Sequence, residues 1–306
     1  MNPKRITGVL SPVVTPFKAD LSPDAEKFVR QCTWLLSQNV GLAVFGTNSE
    51  ANSLATEEKI ELLDRLIAAG LDPARMMPGT GCCAITDSVR LTKHAVKLGC
   101  GGVLMLPPFY HKGVSDDGLF RNFAEIVERV GDSGLRIYLY HIPPVSNVPI
   151  TLTLIERLLK AYPDTIAGAK DSSGDWNNTK AMLDQFAKSG FDVFPGAETF
   201  LLAGLRSGGA GCISATANTN PAAIARLYDT WRGADADAQQ KRLDEIRGTF
   251  AKYPMIPALK AAIAHWSGIA EWATVRPPLV ALTREQAAAL VSDLKARNFD
   301  MPRLRG

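Results

Sequence analysis

Short apolar runs with the composition of buried strands alternate along this chain with stretches of helical length, and they do so eight times. The strand-like runs cover residues 8–14, 41–45, 75–79, 101–106, 136–140, 165–169, 192–195 and 211–214. Their starts recur every ~20–35 residues, the length of one strand, one helix and two loops. Between them, 24–38 follows Ser22-Pro23, and proline suits a first helical turn. The helix from Thr56 opens on a capping hydroxyl and two acids, then sets Ile60, Leu63 and Ile67 on one face. Residues 116–130, 152–161, 175–187 and 221–232 read the same way. No Asn-Gly hairpin signal joins two strands, so the sheet is predicted parallel. Eight such units close a TIM barrel. The rival, an open doubly wound sheet, carries a Gly-rich phosphate turn after its first strand, and Thr15-Pro16-Phe17-Lys18-Ala19-Asp20 is unlike one. The predicted fold is α/β, a (β/α)8 barrel.

Beyond Gly233 the alternation stops. Residues 235–250, 256–265 and 283–297 read as helices with no strand between them. No Gly/Ser/Pro-rich linker precedes them, so the expected division is a barrel over 1–232 and a helical extension packed on it over 233–306. With 46% apolar and 21% charged residues the composition is that of a soluble globular protein. The 34 Lys+Arg against 31 Asp+Glu leave a net charge of +3 without a basic run, which argues against nucleic acid or an anionic membrane as partner. Five cysteines cannot all pair, and adjacent Cys82-Cys83 is not a C-x-x-C, so reduced thiols in the cytoplasm are expected. The longest apolar stretch, 101–109, falls short of the ~20 residues of a membrane helix. The four histidines show neither H-x-x-x-H nor H-x-H, and no metal or cofactor is expected.

A barrel of this kind keeps its chemistry at the C-terminal ends of the strands. Lys170 closes an otherwise uncharged strand and shares a face with Gly168 and Ile166. Desolvation there lowers a lysine pKa, and a neutral amine attacks a carbonyl to form a Schiff base. A strand-end lysine reaching solvent or pairing with Asp171 fits the same residues. Tyr140 closes the strand before, on the face of Tyr138, where its phenol can relay the protons of imine formation or simply fill the core. Gly46-Thr47-Asn48-Ser49-Glu50 and, less clearly, Ser214-Ala215-Thr216-Ala217-Asn218 are small polar turns able to cradle a carboxylate. Tyr110 stands beyond the fourth strand.

Gly46-Thr47-Asn48-Ser49-Glu50, Pro108-Phe109-Tyr110, Tyr140-His141-Ile142-Pro143 and Gly168-Ala169-Lys170-Asp171-Ser172-Ser173-Gly174 follow one another in a known order and spacing. With the opening Ser11-Pro12-Val13-Val14-Thr15-Pro16-Phe17, they resemble the dihydrodipicolinate synthase/N-acetylneuraminate lyase family of class I aldolases. The resemblance implies a barrel with a C-terminal helical extension, assembled as a homotetramer built of dimers. It implies that Lys170 forms the Schiff base with pyruvate or another 2-oxo acid, that Tyr140 relays protons and that Thr47 sits in that relay. Asn48 and its neighbouring amides would hold the carboxylate, and Tyr110 would reach a neighbouring subunit's site. Two positions depart from the family. Its hydroxyl-threonine-glycine loop here reads Thr47-Asn48-Ser49, and the arginine that its dihydrodipicolinate synthases carry two residues after Tyr-x-x-Pro is Val145. The expected function is a class I aldolase or lyase, or a related dehydratase, joining or splitting a 2-oxo acid and an aldehyde. Dihydrodipicolinate synthase proper and a non-catalytic 2-oxo-acid-binding barrel are the alternatives.

Overall fold

Strands covered on both faces need apolar side chains in near-continuous runs, and in this chain Ile137–His141 and Ile166–Asp171 are buried at every residue. The computed structural model describes residues 5–302. In chain order the elements are β1 (Gly8–Ser11), α1 (Ala25–Ser37), β2 (Gly41–Leu42), α2 (Thr56–Ala68), α3 (Ile85–Lys97), β3 (Val103–Met105), α4 (Asp116–Val130), β4 (Ile137–His141), α5 (Pro143–Ser146), α6 (Leu152–Ala161) and β5 (Ile166–Asp171). They continue as α7 (Trp176–Phe186), β6 (Asp192–Pro195), α8 (Leu201–Arg206), β7 (Gly211–Ile213), α9 (Pro221–Thr230), α10 (Ala236–Phe250), α11 (Met255–Ser267) and α12 (Arg284–Lys295). The chain divides into two compact units, one of residues 72–213 with the start of the chain to Gly8, the other of 9–71 and 214 onward.

In the first unit β3, β4, β5 and β6 form one parallel sheet in that order. The register between β4 and β5 shifts by one residue: Ile137 faces Ile166, but Tyr138 faces Gly168, so Ala167 has no opposite number. Such a bulge bends its strand and re-aims the side chains beyond it. β7 lies beyond β6, where the Ala210 amide donates to the Val193 carbonyl at 3.0 Å. The run at 75–79 forms no strand. It keeps only single bridge residues, Met76 and Gly79, the latter bridged to Leu104 and flanked by Leu104 N–H to the Pro78 carbonyl at 2.9 Å. Pro78 has no N–H to return, which stops the ladder there. The helices are amphipathic for local reasons. α4 is capped by Ser115, ends at Gly131 with φ 62°, and buries Leu119, Phe123 and Ile126, one face of a 3.6-residue period.

In the second unit β1 and β2 pair in parallel, extended by the Ala43 amide donating to the Ser11 carbonyl at 2.7 Å. Both strands are shorter than their apolar runs. Pro12 removes a donor after Ser11, and Phe45 turns the backbone left-handed at φ 60°. The three C-terminal helices predicted from periodicity are α10, α11 and α12. The ring of Phe299 packs between Phe250 and Trp266, at 6.1 and 5.1 Å between centroids. All five cysteines are free, and among the described residues no helix is long and apolar enough to cross a membrane.

Candidate active site

The shifted register on β4 and β5 sets Tyr140 opposite Lys170 and His141 opposite Asp171. Both members of the first pair are 2% exposed, and the Lys170 ammonium donates to the Tyr140 hydroxyl at 3.1 Å while lying 4.1 Å from the ring centroid. The space beside Gly168, on the same face, is filled rather than open. A Cβ there would meet the Asp192 carbonyl at 2.2 Å and Tyr138 Cδ1 at 2.9 Å.

Asp171 does not pair with its neighbour Lys170. Its carboxylate accepts from the Thr179 hydroxyl at 2.6 Å, the Asn178 amide at 3.0 Å and the Ser173 backbone at 2.9 Å. His141 Nδ1 accepts from the Ile150 amide at 2.9 Å, which puts the proton of the neutral ring on Nε2, 4.0 Å from Asp171 Oδ1. Burial holds the His141 pKa below its ordinary value, against the pull of the Asp171 charge. The strand ends that carry Tyr140 and Lys170 are thus tied from their other faces. The Ser172 amide closes the ladder on the His141 carbonyl at 2.7 Å.

Tyr110 is not part of this buried pair: its ring is 78% exposed, and its backbone amide donates to Cys83 Sγ at 3.3 Å. Val145, on α5, is also exposed. In the second unit Thr47 and Asn48 begin a 3-10 turn just after β2 and are half-buried. Ser214 is wholly buried, and its hydroxyl accepts from Arg247 Nη1 at 3.2 Å. Sequence patterns give no role of their own to Glu50, the last residue of the polar turn, or to Lys260, a carboxylate and an ammonium buried against each other behind the Thr47–Asn48 turn. Burial pushes Lys260 down to about 8, with Glu50 opposing the shift. The sequence signal is that Lys260 is the one Lys or Arg of α11 and stands within 257–263, a run whose other residues are all apolar.

The sequence model of the dihydrodipicolinate synthetase family matches residues 5–297. An uncharacterized DapA-like lyase of Chloroflexus aurantiacus is 34% identical, over 92% of this chain and 94% of its own length. The crystal structure of dihydrodipicolinate synthase from Agrobacterium tumefaciens superposes with a TM-score of 0.87 at 32% identity, over 95% of this chain and 99% of that one. YagE, a prophage protein of the dihydrodipicolinic acid synthase family from Escherichia coli K12 solved in complex with pyruvate, gives 0.87 at 26% identity, over 96% and 99%. The fold class is α/β, a (β/α)8 barrel with C-terminal helices.

Proposed function

The chain belongs to the dihydrodipicolinate synthetase family, and on that footing we propose that it is a class I aldolase or lyase that makes or cleaves a 2-oxo acid, with pyruvate as the parent substrate, through an imine on Lys170. The observation that carries this reading is the buried amine of Lys170 at 3.1 Å from the Tyr140 phenol. A site that only bound a 2-oxo acid would need no such amine.

The neutral amine adds to the C2 carbonyl carbon to give a carbinolamine, whose hydroxyl leaves as water with a proton supplied by Tyr140. The Tyr140 phenolate then takes a C3 proton to give an enamine, and C3 attacks the aldehyde carbon as Tyr140 returns the proton to its oxygen. Water hydrolyses the resulting iminium to free the product and the Lys170 amine. Cleavage is the reverse. Thr47 joins the proton relay, and Asn48 with the neighbouring turn, and Ser214, take the carboxylate. Tyr110 completes the site of a second copy in a homotetramer. We assign residues 1–232 to the barrel of each cytoplasmic subunit and 233–306 to its extension, of which 1–4 and 303–306 lie outside the described residues.

Val145 separates this reading from dihydrodipicolinate synthase proper. An acceptor aldehyde with its own carboxylate needs a cation, and hydrogen bonds to charged groups are worth about 1.5–3 kcal/mol. Valine offers none, so a neutral aldehyde is the better acceptor and turnover with aspartate semialdehyde is slow or absent.

The test is pyruvate with borohydride, read by intact mass. A reduced pyruvyl adduct maps to Lys170, and Lys170→Ala and Lys170→Arg both lose it, since a guanidinium stays protonated. An adduct on another lysine removes the assignment.

A further inference from the structure

The loop after β2 is held more firmly than a strand-to-helix turn requires. Phe45 and Glu50 both have left-handed backbone, φ 60° and 57°, and neither is glycine. Such strain persists only where the surroundings over-determine it. Between these two residues stand Thr47 and Asn48. Thr15 Oγ1 donates to the Ser49 carbonyl at 2.7 Å, and the Gly46 amide donates to the Ser49 hydroxyl at 3.2 Å.

Glu50 carries the rest. Its Oε1 accepts from Lys260 Nζ and its Oε2 from the Arg276 backbone amide at 2.9 Å. Lys260 also donates to the Thr274 carbonyl at 2.7 Å and lies 4.4 Å from the Phe17 ring centroid. The Arg276 guanidinium is occupied elsewhere, by Glu58 through Nη1 at 2.8 Å and by the Leu21 carbonyl at 2.9 Å. An ion pair sealed from water is a weak source of net stability. What this one does well is fix a geometry.

We propose that Glu50, clamped between Lys260 and the Arg276 amide, is a positioning residue that holds the 45–50 loop in the conformation in which Thr47 and Asn48 receive the carboxylate of the 2-oxo acid. This rests on the function proposed above. Glu50 and Lys260 are buried and act through the loop, so their effect is confined to substrates that present a free carboxylate.

Borohydride trapping against increasing pyruvate, and against increasing methyl pyruvate, which lacks the charge, measures this directly. In Glu50→Gln the half-saturating pyruvate concentration rises about tenfold, the loss of one hydrogen bond to a charged group. The value for methyl pyruvate stays at that of the wild type, and saturating pyruvate still gives full adduct. Should Glu50→Gln not fold, Glu50→Gln/Lys260→Met removes both charges together and gives the same split. An equal rise for both substrates, or no change for either, overturns the positioning role while leaving the imine intact. No adduct in the wild type with either substrate overturns the functional reading and this inference with it.

Discussion

Tyr140 and Lys170 are the residues on which the chemistry is proposed to turn, and each makes a different demand. A phenol that relays protons contributes through its hydroxyl alone, because the ring packs equally well without it. Tyr140→Phe should therefore keep the melting temperature while kcat falls by ~10²–10⁴, the range of general acid–base groups. Full activity in that variant would make Tyr140 a packing residue. His141, next in sequence, answers to pH instead. Its buried ring resists a proton that an unfolded histidine takes up near 6.5. Unfolding thus binds a proton below that pH, and stability falls as the pH is lowered through it. His141→Asn, scanned by thermal melting from neutral to about pH 5, should flatten this acid limb; an unchanged slope would place the linkage elsewhere.

At the scale of the elements, β5 decides where the amine goes. Carried on from Ile137 and Ile166, an unbroken ladder would set Tyr140 opposite Ala169 and Lys170 opposite His141. The bulge at Ala167 moves Lys170 into line with Tyr140. Gly168 follows it directly, and its missing side chain is what lets β5 lie against the Asp192 carbonyl and the Tyr138 ring. Gly168→Ala should cost at least the ~1–3 kcal/mol of ordinary overpacking, since a backbone carbonyl cannot step aside as a side chain can. It should also slow borohydride trapping, because the strand must shift with Lys170 on it. Urea unfolding and trapping rate read the two effects separately; a variant that trapped at the wild-type rate would show that the register tolerates displacement. Tyr138 itself is held by its hydroxyl on Asp192 at 3.2 Å, and burial keeps that phenol protonated well above its usual range.

For the whole molecule, the homotetramer proposed above predicts that light scattering returns four times the mass of the chain, with the exposed Tyr110 covered in the assembly. A single-chain mass would remove the role given to Tyr110 in a second copy. Much of the architecture is legible without coordinates, because alternation and helical period are carried by neighbours a few residues apart. The amphipathic stretches that became α4 and α10–α12, and a lysine and a tyrosine ending apolar strands, can be read from such local patterns. The run at 75–79 misled because its apolar composition says strand while Pro78 withholds the donor a ladder needs. Glu50 and Lys260 lie 210 residues apart, and no local period reports a partner at that distance. By itself, then, the sequence determined most of the segments that became strands and helices, which family the chain resembles and which side chains could react. Only the tertiary structure decided that one extra residue at Ala167 would bring the amine to the phenol, and that two buried charges would close behind the loop, because register and ion pairing depend on which distant segments come to lie side by side.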